Sequence, residues 1–316
     1  MELLVLREGV HGLSPASYAE KLRDRLDGDH TVGHASTPAE ERSMIERADL
    51  ATGLSIDRPT LENADDLDLF ACAYAGTDHL PLEALADRGV EVTNAAGVHT
   101  ASAAEHVVGA ILSFQRELHD AARTDRWEPA TPNELAGSTV TIVGLGAIGE
   151  GIANRLEPFD VTTLGVRRSP ESGGPTDEVF GPDRLHDTLA RSGFVVLCCP
   201  LTEETRGLIG EAELTTLPPE AVLVNVARGE VIDTDALLLA LRRGRIGGAA
   251  LDVTDPEPLP DEHPFWDLDD VLITPHSAGA TLKYYDRLAD IVADNVERLG
   301  SGRQLRNSVR IDGVSE

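Results

Sequence analysis

The sequence predicts an α/β protein built on parallel sheets, on the strength of three observations. Short apolar β-type runs alternate with segments of helical period along the chain. A strand-like run at 139–143 leads directly into Gly-x-Gly-x-x-Gly and then a helical segment. The length, 316 residues, allows roughly two domains of about 150 residues each, enough for hydrophobic cores without disulfides or metals.

Taken in order, the first third reads as a strand at 3–6, a helix near 17–26 and strands at 50–52 and 67–72. A helix at 81–88 and a strand at 90–93 complete it. A long helix over 102–118 follows, with Val107, Val108, Ile111, Phe114 and Leu118 on one face at i, i+3/i+4 spacing. Residues 124–137, with Trp127-Glu128-Pro129 and Thr131-Pro132-Asn133, read as an extended arm or linker. A second α/β unit begins with the strand at 139–143. Its further strands are 160–166, 194–198, 221–225, 246–251 and 271–274, and the Gly/Pro-rich 169–175 is a surface loop. The last helix, 281–299, carries Tyr285, Leu288, Val292, Val296 and Leu299 on one face.

The composition is acidic: 55 Asp and Glu against 27 Lys and Arg, a net charge of −28, and all but Lys21 and Lys283 of the basic residues are Arg. Such a polyanion repels phosphates, which argues against nucleic-acid and anionic-membrane partners. No apolar stretch is long enough for a membrane span, and no signal peptide is expected. Cys72, Cys198 and Cys199 form neither a disulfide framework nor a metal spacing. A soluble cytoplasmic protein is expected. The acids are spread along the chain, so their repulsion is best screened in a high-salt cytoplasm, where at about 1 M the Debye length is about 3 Å.

In the Gly-rich segment at 140–149, Gly144 permits the tight turn and Gly146 lets backbone amides approach a pyrophosphate. Gly149 lets the helix pack close to the strand. The acid that usually bonds the ribose 2′-OH of NAD is missing where the next strand ends. Arg167, Arg168 and Ser169 stand there instead, a set suited to a 2′-phosphate. NADP is therefore expected, with NAD as the alternative.

Three later segments each place a polar group at a strand end: Arg228 after 221–225, Glu257 beyond 246–251 and His276 after 271–274. In an open parallel sheet, ligands bind beyond the carboxyl ends of strands. Reduction of a 2-oxo acid needs this set. Arg228 forks onto the substrate carboxylate and polarises the carbonyl, and His276 exchanges the hydroxyl proton. Glu257 fixes the imidazole and favours its charged form.

With these segments the chain resembles the D-isomer-specific 2-hydroxyacid dehydrogenase family over nearly its whole length. The likeness rests on 143–149, 199–205, 225–229, 251–260 and 274–279, and within the family it is greatest to haloarchaeal members. The resemblance implies two flavodoxin/Rossmann-like domains, the cofactor domain (98–283) inserted into the substrate domain (1–97 and 284–316). It implies that Asp252, Val226 and Ala227 hold the nicotinamide carboxamide. Ala147, Ile148, Cys199, Pro200 and Thr205 would line the cofactor. In 74–78, Ala75 and Gly76 would grip the substrate carboxylate through their N–H groups. A cleft that closes on substrate and a homodimer built by the long helix and the 124–133 arm are further expectations.

Departures narrow the reading. Formate dehydrogenases of the superfamily carry Gln where Glu257 stands, and a regulatory domain of the kind common in phosphoglycerate dehydrogenases is not expected. The expected activity is that of an NADP(H)-preferring D-2-hydroxyacid dehydrogenase acting as a 2-oxoacid reductase on a small 2-oxo or 2-hydroxy acid. A glyoxylate/hydroxypyruvate reductase differs from it only around Leu54, Tyr74 and Lys283. A nucleotide-sensing binding protein of the same fold is the alternative from another class. Glu105-His106, Cys198 and His263 read as structural, Lys283 as a solvated helix position.

Overall fold

Runs such as Leu69–Cys72 and Phe194–Leu197 contain no charged side chain and are buried at every position, the signature of strands covered on both faces. They are interior strands of two parallel sheets. The computed structural model describes residues 1–77, 79–125, 127 and 129–309, so Asp78 of the 74–78 loop and Glu128 of the arm lie outside it. The chain divides into two units, Met1–Val98 with Ala280–Glu316, and His99–Gly279.

In the first unit the elements run β1 (Glu2–Val5), α1 (Pro15–Arg23), β2 (Thr31–His34), α2 (Pro38–Met44), β3 (Leu50–Gly53), α3 (Arg58–Leu61), β4 (Leu69–Cys72), α4 (Leu82–Asp87) and β5 (Glu91–Thr93). Among the described residues these strands form one parallel sheet of order β2-β1-β3-β4-β5, the flavodoxin-like arrangement. The helix Tyr284–Gly300 closes one face. Its Tyr285, Leu288, Val292 and Val296 pack with Leu3, Val5 and Leu22, and Leu299 lies half-buried at the edge. Leu4, Phe70 and Leu85 fill the other face.

The second unit runs α5 (Thr100–Gln115), α6 (Leu118–Arg123), β6 (Thr139–Val143), α7 (Ala147–Leu156), β7 (Thr162–Val166), β8 (Glu178–Phe180), α8 (Leu185–Leu189), β9 (Phe194–Leu197), α9 (Glu211–Thr216), β10 (Val222–Asn225), α10 (Thr234–Arg242), β11 (Gly248–Leu251) and β12 (Val271–Ile273). Its described strands form a parallel sheet of order β12-β11-β10-β9-β6-β7-β8. β6 pairs with β7 on one side and β9 on the other, so the winding reverses there and opens a crevice at the strand ends. The two sheets are the pair of Rossmann-like α/β layers that the alternating runs predict.

Three differences from the sequence reading have physical causes. The helix expected over 102–118 breaks at Glu117, whose φ of 53° turns the chain, so Leu118 begins α6 and is exposed rather than part of the apolar face. β2 and β8 were not anticipated because they are short sheet edges with no apolar run, Val32 being the one fully buried side chain between them. α2 was missed because Glu41 is the one residue it buries, leaving no apolar stripe to recognise.

Candidate active site

The loop after β6 has little conformational choice. Gly144 has φ +104°, and a Cβ there would sit 2.6 Å from the Cys199 nitrogen, so the turns after β6 and β9 touch. A Cβ on Gly149 would meet the Gly144 carbonyl oxygen at 2.1 Å, which is how α7 starts so close to its strand. Gly146 faces open space where its Cβ would be, and it precedes Ala147 and Ile148 in the first turn of α7. The amides of that turn lack intrahelical partners and favour an anion.

Beyond this loop lies a cavity of about 650 Å³, lined by Gly144, Gly146, Arg167, Arg168, Ser169, Cys199, Pro200 and Thr205 from the sequence prediction. Val143, Val166, Leu185 and Leu208 give it an apolar wall. Thr205 Oγ1 donates to the Pro200 carbonyl (2.7 Å) and accepts from the Thr202 N–H (2.7 Å), fixing the turn after β9. Room for the cofactor backbone at Gly146, unpaired helix amides and an apolar slot together fit a dinucleotide.

The two arginines differ. Arg167 Nη1 donates to the Gly173 carbonyl at 2.6 Å and lies 3.7 Å from Glu150 Oε1, so it braces the loop after β7. The Arg168 side chain is exposed and makes no hydrogen bond or ion pair among the described residues. Glu204 lines the same cavity and accepts from Thr202 Oγ1 at 2.7 Å. That hydroxyl, with Arg168 nearby, holds the Glu204 carboxyl below its ordinary range. Cys198 and Cys199 are shifted the other way, because burial penalises the thiolate and raises both thiols.

Asp252, Glu257 and His276 line a second cavity of about 380 Å³ at the ends of β11 and β12, beside Leu259, Trp266 and Pro275. Asp252 is buried, and its carboxylate accepts from Thr274 Oγ1 (2.6 Å) and from the N–H groups of Ser277 (2.8 Å) and Ala278 (2.9 Å). It thereby shapes the turn that presents His276, whose own N–H donates to the Asp252 carbonyl at 2.8 Å. His276 has φ 49°, and its Nδ1 lies 2.6 Å from Glu257 Oε1. With Nδ1 engaged by the carboxylate, Nε2 is the nitrogen left for proton exchange.

Arg228 lines neither cavity. Asn225 holds its loop, donating from Nδ2 to the Arg228 carbonyl (2.9 Å) and accepting the Ala227 N–H (3.0 Å). Gly229 lies directly on the next loop, where a Cβ would be 2.1 Å from the Thr254 carbonyl, so Arg228 borders the segment leading to Glu257. Val226 and Ala227 share this loop. Ala75 and Gly76 belong to the other unit, exposed in the loop after β4, and no hydrogen bond among the described residues engages their N–H groups.

Two residues of the second unit have partners that the sequence reading did not assign: His106, read as structural, and Glu204. His106 of α5 lies with Nε2 3.2 Å from Thr274 Oγ1 and 3.9 Å from Asp252 Oδ1, so it supports the turn carrying His276. Glu204 stands beside Arg168 in the cofactor-sized cavity. Neither gave a local signal, since only the folded sheet brings them to these partners.

Comparison with known proteins places the chain in a family. Residues 108–278 match the family described as D-isomer specific 2-hydroxyacid dehydrogenase, NAD binding domain. The chain is 39% identical over 254 residues to the glyoxylate reductase of Thermofilum pendens, covering 76% of this chain and 74% of that one. It is 34% identical over 305 residues to the glyoxylate reductase/hydroxypyruvate reductase of Mus musculus, covering 91% and 92%. The structure of a D-isomer specific 2-hydroxyacid dehydrogenase from Xanthobacter autotrophicus Py2, in complex with NADPH and MES, superposes with a TM-score of 0.80 at 29% identity over 98% of each chain. The chain therefore belongs to the D-isomer specific 2-hydroxyacid dehydrogenase family, NAD(P)-dependent oxidoreductases acting on the CH–OH group of 2-hydroxy acids.

Proposed function

We propose that this protein is an NADP(H)-preferring 2-oxoacid reductase that forms D-2-hydroxy acids, with glyoxylate and hydroxypyruvate foremost among its substrates. The single observation that carries the reading is the His276 Nδ1–Glu257 Oε1 contact of 2.6 Å beyond the ends of the cofactor-binding sheet. Relatives named as glyoxylate reductases support the substrate choice.

Gly144, Gly146 and the first turn of α7, with Ala147, Ile148 and Gly149, would hold the pyrophosphate. The cavity wall, including Cys199, Pro200 and Thr205, would take the adenosine half. Asp252 with the Val226–Ala227 backbone would orient the nicotinamide carboxamide. When bound, the nicotinamide supplies the hydride. His276, held by Glu257, delivers a proton from Nε2 to the substrate oxygen and recovers one from solvent after turnover. Arg228 meets the substrate carboxylate and polarises the carbonyl, and the N–H groups of Ala75 and Gly76 are our candidates for gripping the same carboxylate. The basic pair Arg167-Arg168 with Ser169, in place of an acid, supports NADP over NAD.

The charge of −28 supports work in molar salt, as in a haloarchaeal cytoplasm. Exposed Leu118 and Trp127 support a homodimer through the α5–α6 segment, which covers the long helix of the sequence reading, and the 124–133 arm. The test is oxidation of NADPH and NADH with a panel of 2-oxo acids in molar KCl. Turnover with glyoxylate and hydroxypyruvate, faster with NADPH at low cofactor, is expected. No turnover with any 2-oxo acid contradicts the reading.

A further inference from the structure

Arg167 and Arg168 follow the same strand, but Arg167 is already committed to the Gly173 carbonyl (2.6 Å) and to Glu150 (3.7 Å). A guanidinium so placed orders the loop and has little left to give a ligand. Arg168 is exposed, lines the 650 Å³ cavity, and has no hydrogen bond or ion pair among the described residues. It shares that cavity with one carboxylate, Glu204. Glu204 is exposed but placed by its own turn: Thr202 Oγ1 donates to it at 2.7 Å, and the Thr202 N–H is tied to Thr205 Oγ1.

With Arg168 taken as the 2′-phosphate ligand of the proposed reductase, we propose that Glu204 competes with that phosphate for it, making Glu204 the residue that limits the NADP(H) preference. The inference rests on the cavity being the adenosine-ribose site of the proposed reductase. A carboxylate beside the phosphate position weakens every 2′-phosphorylated ligand by direct repulsion and by partial neutralisation of Arg168. A ligand with a free 2′-hydroxyl is not penalised in this way. Selectivity thus comes from one attractive and one repulsive element in the same cavity. The carboxyl is held acidic by the Thr202 hydroxyl and by Arg168, so the repulsion persists through the neutral range.

The test is calorimetric binding of adenosine 2′,5′-bisphosphate and of 5′-AMP, which differ only in the 2′-phosphate, to full-length wild-type, Glu204→Gln, Arg168→Gln and doubly substituted protein. At low salt, Glu204→Gln is expected to tighten the bisphosphate about three- to tenfold and leave 5′-AMP unchanged, as for unit charges interacting near a wet surface. Arg168→Gln should abolish most of the difference between the two ligands, and Glu204→Gln should then add less than on its own, because only the direct repulsion remains to be relieved. An unchanged ligand ratio in Glu204→Gln, or an equal gain without Arg168, overturns the proposal. Binding is read without turnover, so failure to reduce 2-oxo acids would sink the reductase reading and leave this comparison intact. A wild-type protein that binds 5′-AMP as tightly as the bisphosphate, and stays indifferent after Glu204→Gln, would sink the inference alone.

Discussion

His276 Nδ1 lies 2.6 Å from Glu257 Oε1, and the two side chains sit on loops that follow neighbouring strands of one sheet. The contact selects the ring face and the tautomer. Replacing Glu257 with Gln should lower kcat on the order of 10²-fold, within the range of acid–base catalysis, and change KM little. The melting temperature should barely move, because a half-exposed ion pair contributes under about 1 kcal/mol. A matched fall in stability and activity would show that the pair is only structural.

Asp252 should behave in the opposite way. Its buried carboxylate accepts three hydrogen bonds from the 274–278 turn. In Asp252→Asn an amide would face N–H donors it cannot accept from on both sides, at a cost of about 1.5–3 kcal/mol. Urea unfolding should show a lowered midpoint, with activity falling alongside. An unchanged midpoint would mean that the turn is held by other contacts.

Much of the second unit could be read in advance, and the reasons are local. β9 is an uninterrupted apolar run, β6 and β10 are broken only by Thr139, Thr141 and Asn225, and glycines at 144, 146 and 149 mark positions where a side chain would collide or block approach. The polar groups at strand ends stood out because they follow such runs. What could not be read is what depends on tertiary pairing. His106 reaches Thr274 across most of the unit, and Arg167 turns back to Gly173 although its neighbour Arg168 does not. Spacing in the sequence cannot separate two adjacent arginines that the fold assigns to different work.

The cysteines give a prediction about reactivity. Burial raises the thiols of Cys72, Cys198 and Cys199, so little thiolate exists near neutral pH, and the thiolate is the nucleophile. Iodoacetamide should label the native protein slowly and the urea-unfolded protein rapidly at all three positions, as read by mass spectrometry. Fast native labelling of Cys199 would show that the cavity wall opens.

Lys21, one of two lysines, bonds both oxygens of Asp286 at 2.8 and 2.9 Å and joins α1 to the helix Tyr284–Gly300. Arg25 adds a contact at 3.2 Å. The hydrogen bond from Lys21, and then the neighbouring charges, hold the Asp286 carboxyl below its ordinary range. A carboxyl more acidic when folded stabilises above its unfolded pKa of about 3.9 and loses that contribution as pH falls through the lower folded value. Lys21→Met should therefore cost up to about 1 kcal/mol near neutral pH in dilute buffer, and less at strongly acidic pH. The cost should also shrink in about 1 M KCl, where exposed charges are screened. Thermal melts across this grid check the sign, and a cost that grows with acid would contradict it.

The central claim, that His276 supplies the proton in 2-oxoacid reduction, is tested most directly by steady-state NADPH oxidation with glyoxylate, wild-type against His276→Ala, in molar KCl. The expected result is a loss of about 10²–10⁴-fold in kcat with cofactor affinity retained. Full turnover by His276→Ala would contradict the account.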